Sequence, residues 1–312
     1  MSPSARSLTR RKVILDCDVG IDDAVALALL VQSEKIQLLA VTTNTGNVSI
    51  EKTTRNALDV LSLLNAQSIP VAKGVARPAF TILLENYSKI HGLNGIGEVE
   101  LPASEQFVDH RHAIEVFAEL LEEEPAKSIS IAVVGPLTNF AMFMKTYPAL
   151  VDKIDRLIVM GGTTSNGNIT PVSEFNIWAD PLSAKFVFDN VSCPTSMVGL
   201  DVTRLATVNE EELDRWSRNS EWGSAIAQMV RGYLDINSNG WPMHDALAVS
   251  ILIDESILRF ESAHINVCTD SDENYARTLC DFKQEGDTSG PLISVALGVD
   301  LAKFRSLLTK LM

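Results

Sequence analysis

The chain has 312 residues, 46% of them apolar and 21% charged, which suffices for a sizeable core in one large domain or two small ones. Its formal net charge of −14 argues against sequence-independent nucleic-acid binding, which needs Lys and Arg to displace counterions. No apolar window approaches the roughly eighteen residues of a membrane span, and the four cysteines (Cys17, Cys193, Cys268 and Cys280) show neither CxxC nor zinc spacing, as expected of a reduced, cytoplasmic protein.

Residues 1–11 are basic and Ser-rich but lead straight into VILD with no apolar stretch, so they read as a tail rather than a secretory signal. From residue 12 to 312 a single domain is expected, because no linker, repeat or composition break interrupts the pattern. Short β-rich runs appear at Val13–Asp16, Ile36–Thr42, Ile69–Lys73, Ser128–Val134, Leu157–Met160 and Thr195–Val198. Helical patterns lie between them, near Asp23–Gln32, Ile50–Leu64, Arg111–Glu124, Leu137–Lys145 and Pro181–Asp189. Continuous apolar strands alternating with helices predict an α/β fold, an open and mostly parallel sheet covered by helices on both faces. Further on, helices are expected at Glu210–Arg218, Ala225–Asp235 and from His244, forming a helical part over the strand ends. Strand-like pieces follow near 262–268, 278–283 and 292–298. Ligands of such sheets bind beyond the carboxyl ends of the strands, and that is where the polar clusters of this chain recur.

The segment VILDCDVGIDDAVALALL carries the most chemistry. Asp16 and Asp18 alternate in an extended run, which puts their side chains on one side about 7 Å apart. Gly20 allows a tight turn, and Asp22 and Asp23 open a helix whose dipole favours anions. A capping turn accounts for one or two of these aspartates. Four within eight residues repel one another unless a cation gathers them, and hard oxygen ligands suit calcium or magnesium better than zinc. An EF-hand is excluded, because the twelfth position from Asp16 is Leu27 rather than Glu. The haloacid dehalogenase phosphatase loop also places DxD after a strand, but it carries Thr or Val where this chain has Gly20.

DCDVGIDDAVAL resembles the signature of the inosine-uridine-preferring nucleoside hydrolase family. The resemblance extends over nearly the whole chain, through GNVSIEKTTRNAL (46–58), IHGLNGIG (90–97), VGPLTNFA (134–141), VMGG (159–162), EFNIWADP (174–181) and HDALAV (244–249). It implies a nucleoside hydrolase-like α/β fold and a homodimer or homotetramer. The implied activity is hydrolysis of the N-glycosidic bond of a small-molecule ribonucleoside, with a calcium-bound water as nucleophile.

Residue by residue, the resemblance implies that Asp18, Asp23, Asp245 and the backbone carbonyl of Val134 hold calcium, with Asp18 also the general base. It places Asp22 and Asn176 on ribose hydroxyls, Asn168 and Glu174 on the 5′ and 3′ side of the sugar, Asn47 at the ribose and Met160 beneath it. His91 and His244 face the base, His244 as the general acid, and Asp16 supports the ligands from behind. One position departs from the pattern: Val19 stands where the family usually has Pro, which frees the local φ at a cost of about 1 kcal/mol at most.

Taken singly, most of these residues have plainer readings. His244 and Asp245 are a possible helix start, but as helix neighbours they point about 100° apart, so one can reach a metal and the other a base. Glu174 and Asn176 alternate in a strand-like run, and Trp178, Tyr233 and Trp241 read as packing rather than base-stacking residues. A magnesium-dependent phosphatase and a non-catalytic, calcium-dependent ribose-binding protein are the competing functions.

Overall fold

The computed structural model describes residues 10–78, 90–270, 273–283 and 290–312. Eleven strands are defined there: β1 (Arg11–Cys17), β2 (Ile36–Thr43), β3 (Val71–Lys73), β4 (Ile129–Val133), β5 (Ile154–Met160), β6 (Thr195–Val198), β7 (Thr207–Val208), β8 (Trp241–Pro242), β9 (Leu258–Val267), β10 (Thr278–Asp281) and β11 (Ile293–Val299). Nine of them form one sheet in the order β10-β9-β11-β6-β5-β4-β1-β2-β3, while β7 and β8 pair separately. Every pairing from β11 to β3 is parallel, and β9 runs antiparallel to both of its neighbours. The expected α/β sheet, mostly parallel with helices on both faces, is therefore what the chain forms. Strand order jumps from β1 to β4, so the middle of the sheet is a crossover point, and crevices open at the strand ends there.

Burial explains why the central strands read as unbroken apolar runs. Ile14 and Ile131 pack into one core layer, with Phe117 and Phe140; Val13, Leu15 and Ala132 pack into the other, with the helix Ile21–Gln32. That helix is buried over ten successive residues, Ile21 to Leu30, because a second buried helix, His244–Ser250, packs against it. The C-terminal helices Glu210–Asn219 and Glu221–Arg231 add to this side. The second of these ends four residues before the expected Asp235, which leaves Asp235 in a loop.

Phe117, Phe140 and Phe143 lock the outer layer, with ring centroids 5.5 Å apart for Phe117–Phe143 and 6.3 Å for Phe117–Phe140. Phe117→Ala is expected to destabilise the fold by about 3–5 kcal/mol, from lost transfer energy and the cavity left behind. The shift in a urea unfolding midpoint at constant slope measures it; a change below about 1 kcal/mol contradicts tight packing of this layer.

The run from Glu174 to Asn176 is not a strand. It starts a short helix, Phe175–Ala179, whose N-terminal N–H groups are capped by the Glu174 carboxylate through Asn176 N at 2.9 Å and Ile177 N at 3.1 Å. A five-residue helix is too short to display a helical period, and two alternating polar residues mimic a strand. No helix among the described residues is long and apolar enough to cross a membrane.

Candidate active site

A partly open cleft lies at the carboxyl ends of β1, β4 and β5, where ligands of such sheets bind. Of the residues expected at the site, all but Asp23 line it: Asp18, Asp22 and Asp245 at the floor with Val134, and Asn47, Met160, Asn168, Glu174, Asn176, His91 and His244 around it. Asp23 is fully buried directly beneath. No Lys or Arg is among the residues that line the cleft. The acids therefore face one another without a cationic side chain.

The local chain explains how they come together. β1 ends in Asp16 and Cys17, and the turn that follows delivers Asp18 before the helix at Ile21 begins. Gly46 and Gly135 permit close approach to Asp18, since a Cβ would lie 2.0 Å and 2.7 Å from its two carboxylate oxygens. The Asp18 carboxylate accepts the Asn47 N–H at 2.7 Å, and Asp23 accepts the Gly20 N–H at 2.7 Å. Without Pro at position 19, the loop is held by other means. Asn56 donates to the Val19 carbonyl at 3.1 Å, Ile21 N–H donates to His91 Nδ1 at 3.1 Å, and Val19 is itself fully buried.

Electrostatics make this cluster unstable alone. Burial pushes Asp18 and Asp245 well above the ordinary carboxylate range, with Asp22 and Asp23 adding like-charge repulsion. Asp23 is raised to about 7 by burial and then by Asp22. Asp16 also reaches about 7 through burial, against the opposing hydrogen bonds from Thr42 at 2.6 Å and Asn139 at 2.8 Å. Those bonds give Asp16 the supporting position behind the loop. Asp16 Oδ2 and Asp23 Oδ1 are both buried with no hydrogen-bond partner. Carboxylate oxygens of Asp22, Asp23 and Asp245 lie within 4.8 Å of one another, so these residues can hold a metal ion. That grouping brings Asp22 into the cation cluster, where the sequence pointed to Asp18 as the partner of Asp23 and Asp245. An all-oxygen donor set, with Asp23 Oδ1 buried and unpartnered, fits a hard divalent ion.

Beside the acids the cleft carries asparagines and one further carboxylate, Glu174. Asn176 Nδ2 donates to the carbonyls of Val134 at 2.7 Å and Met160 at 3.1 Å, which fixes its amide at the cleft. Asn168 Oδ1 accepts the Phe175 N–H at 2.9 Å. Glu174 Oε2 also accepts the Gly162 N–H at 3.0 Å; burial raises its pKa against these backbone hydrogen bonds.

Two histidines close the other end. Because His91 Nδ1 accepts from Ile21, its proton sits on Nε2; burial lowers its pKa and keeps the ring neutral, opposed by Asp22. His244 Nδ1 meets Thr203 Oγ1 at 2.7 Å and Nε2 meets Asp235 Oδ2 at 3.1 Å. Burial disfavours the imidazolium, but the Asp235 hydrogen bond and the charges of Asp22, Asp235 and Glu174 outweigh it and raise the His244 pKa. Asp235 and Thr203 were not foreseeable from sequence, since neither sits in a motif and Thr203 is 41 positions from its partner. Tyr233 packs in the core as expected and also borders the cleft, its ring centroid 4.9 Å from that of His91. Trp241 packs against the core beside it and donates to the Tyr233 carbonyl at 3.1 Å.

The profile of the inosine-uridine preferring nucleoside hydrolase family matches residues 13–306. The chain belongs to that family. It is 36% identical over 284 residues to an inosine-uridine preferring nucleoside hydrolase of Leishmania major, covering 88% of each chain. It is 33% identical over 305 residues to the pyrimidine-specific ribonucleoside hydrolase RihA of Shigella boydii, covering 95% of this chain and 96% of that one. Among solved structures it resembles a plant nucleoside hydrolase, with a TM-score of 0.90 and 28% identity over 96% of this chain and 98% of that chain. A purine-preferring ribonucleoside hydrolase from Gardnerella vaginalis gives a TM-score of 0.89 and 30% identity over 96% and 97%. The chain is a nucleoside hydrolase, an enzyme for the N-glycosidic bond of ribonucleosides.

Proposed function

We propose that this enzyme splits ribonucleosides into free base and ribose at the acidic cleft, with Asp18 as general base, His244 as general acid and calcium as its resident ion. The observation that carries the reading is the convergence of Asp18, Asp22, Asp23 and Asp245, buried and with no Lys or Arg in the cleft lining, in one cleft with asparagines and histidines. Asp18, Asp23, Asp245 and the Val134 carbonyl would hold the ion, and Asp22 borders it. When bound, the ion supplies Lewis acidity, neutralising the carboxylates and favouring ionisation of water near the sugar.

The remaining work falls to the side chains. Asp18 receives a proton from the attacking water. Asp22 and Asn176 hold ribose hydroxyls, Glu174 and Asn168 hold the 3′ and 5′ side, Asn47 borders the ribose, and Met160 supplies the apolar surface beneath it. As the C–N bond breaks, charge grows positive on the sugar and negative on the base, so buried carboxylates favour the first. His244 hands a proton to the departing base. His91 presents Nε2–H on the same side. The reading takes residues 12–312 as one domain, working in the cytoplasm as a homodimer or homotetramer.

Asp23→Asn tests the ion assignment with a readout other than turnover. A ligand at about 100 times its Kd stabilises the folded state by about 2.7 kcal/mol, so calcium should raise the Tm of the wild-type protein after chelator treatment. Asp23→Asn should lose most of that shift and turnover together. An unchanged calcium-dependent shift in Asp23→Asn overturns the ligand set.

A further inference from the structure

We propose that Arg204 is a positioning residue for the 5′ side of the substrate, acting through the loop that carries Asn168; the proposal rests on the reading of Asn168 above. The guanidinium of Arg204 donates to two successive backbone carbonyls, Asn166 O at 2.8 Å and Gly167 O at 2.5 Å. The residue that follows is Asn168. A planar guanidinium fixes two carbonyls in one orientation, which a single-point ammonium cannot do.

The same turn of chain grips the loop again at its start. Asp201 accepts from Thr164 N at 2.8 Å, Thr164 Oγ1 at 2.8 Å and Ser165 Oγ at 2.9 Å. Beyond Asn168 the loop closes on itself, with Gly167 N donating to Pro171 O at 3.0 Å and Asn168 N donating to Ser173 O at 3.1 Å. Asn168 is exposed, so packing does not place it. Its position comes from these backbone anchors and from the Phe175 N–H on its Oδ1. Arg204 itself is outside the cleft lining and touches no expected substrate group.

Arg204 has a second electrostatic neighbour, because its charge lowers the pKa of Asp235, whose first cause is the His244 hydrogen bond. Its immediate neighbour Thr203 holds His244. The test must therefore separate the sugar side from the base side. Inosine and 5′-deoxyinosine share one base and differ only at the 5′-hydroxyl, so any effect relayed through Asp235 or His244 strikes both equally.

The experiment measures kcat/KM of the full-length, calcium-loaded enzyme on this pair for the wild type, Asn168→Ala, Arg204→Gln, Arg204→Lys and the Asn168→Ala/Arg204→Gln double variant. Arg204→Gln should narrow the preference for inosine by about 10-fold, the worth of one well-made hydrogen bond. Arg204→Lys should recover only part of it, and the double variant should discriminate no less than Asn168→Ala alone. Equal losses on both substrates for Arg204→Gln, with Asn168→Ala erasing the preference, overturn the proposal and assign Arg204 to the base side or to folding. A preference left intact by Asn168→Ala overturns the sugar assignment, and with it the route through Arg204. If Arg204→Gln unfolds, Asp201→Asn, which loosens the same loop from its other end, must narrow the preference in its place, or the proposal fails.

Discussion

Inosine is expected to be hydrolysed with a kcat/KM about 10⁴-fold above that of 2′-deoxyinosine. The reason lies in what the missing hydroxyl leaves behind. Asp22 is 4% exposed and Asn176 6% exposed, so neither is well solvated once a nucleoside fills the cleft. A buried carboxylate and amide without their partner keep the full desolvation penalty, which is why sites built around a hydroxyl reject its absence strongly. The measurement is initial-rate base release from the two nucleosides under identical calcium. Equal kcat/KM values contradict the placement of Asp22 and Asn176 on the ribose hydroxyls.

The second large effect separates the base end from the sugar end. A natural base leaves poorly and needs a proton, whereas p-nitrophenol departs readily as an anion. His244→Ala should therefore lose inosine hydrolysis by about 10² to 10⁴-fold, the usual worth of a general acid, and keep most activity on p-nitrophenyl riboside. Asp18→Asn should lose both, since the attacking water serves every substrate. Similar losses on the two substrates for His244→Ala mean that the ring, held between Thr203 and Asp235, is structural and that His91 is the next candidate acid. Almost no loss on either substrate reduces His244 to a helix-start residue.

How much of this was legible in the sequence depended on how local each signal is. The parallel sheet announces itself because β1, β4 and β5 are buried on both faces and so read as unbroken apolar runs. The acidic loop is legible for the same reason of locality: Asp16, Asp18, Asp22 and Asp23 sit within one strand-turn-helix step. Asp245 was reached only through the family resemblance, since Asp in a first helical turn is common. Asp235 and Thr203 were missed because their role is a tertiary contact with His244, invisible to any spacing rule. The helix at Phe175–Ala179 was misread because five residues give too little periodicity to compete with an alternating polar pair. That Tyr233 packs in the core and borders the cleft at once is a tertiary fact that no local pattern carries.

The most direct test of the central claim is release of free base and reducing ribose from a panel of ribonucleosides, assayed without phosphate, after metal removal and after calcium is returned. The account predicts base and ribose in equal amounts from at least one nucleoside, loss of that activity in excess chelator, and recovery with calcium. Full activity of the metal-stripped enzyme in excess chelator contradicts it, as does nucleoside binding without turnover when Asp18, His244 and calcium are all in place.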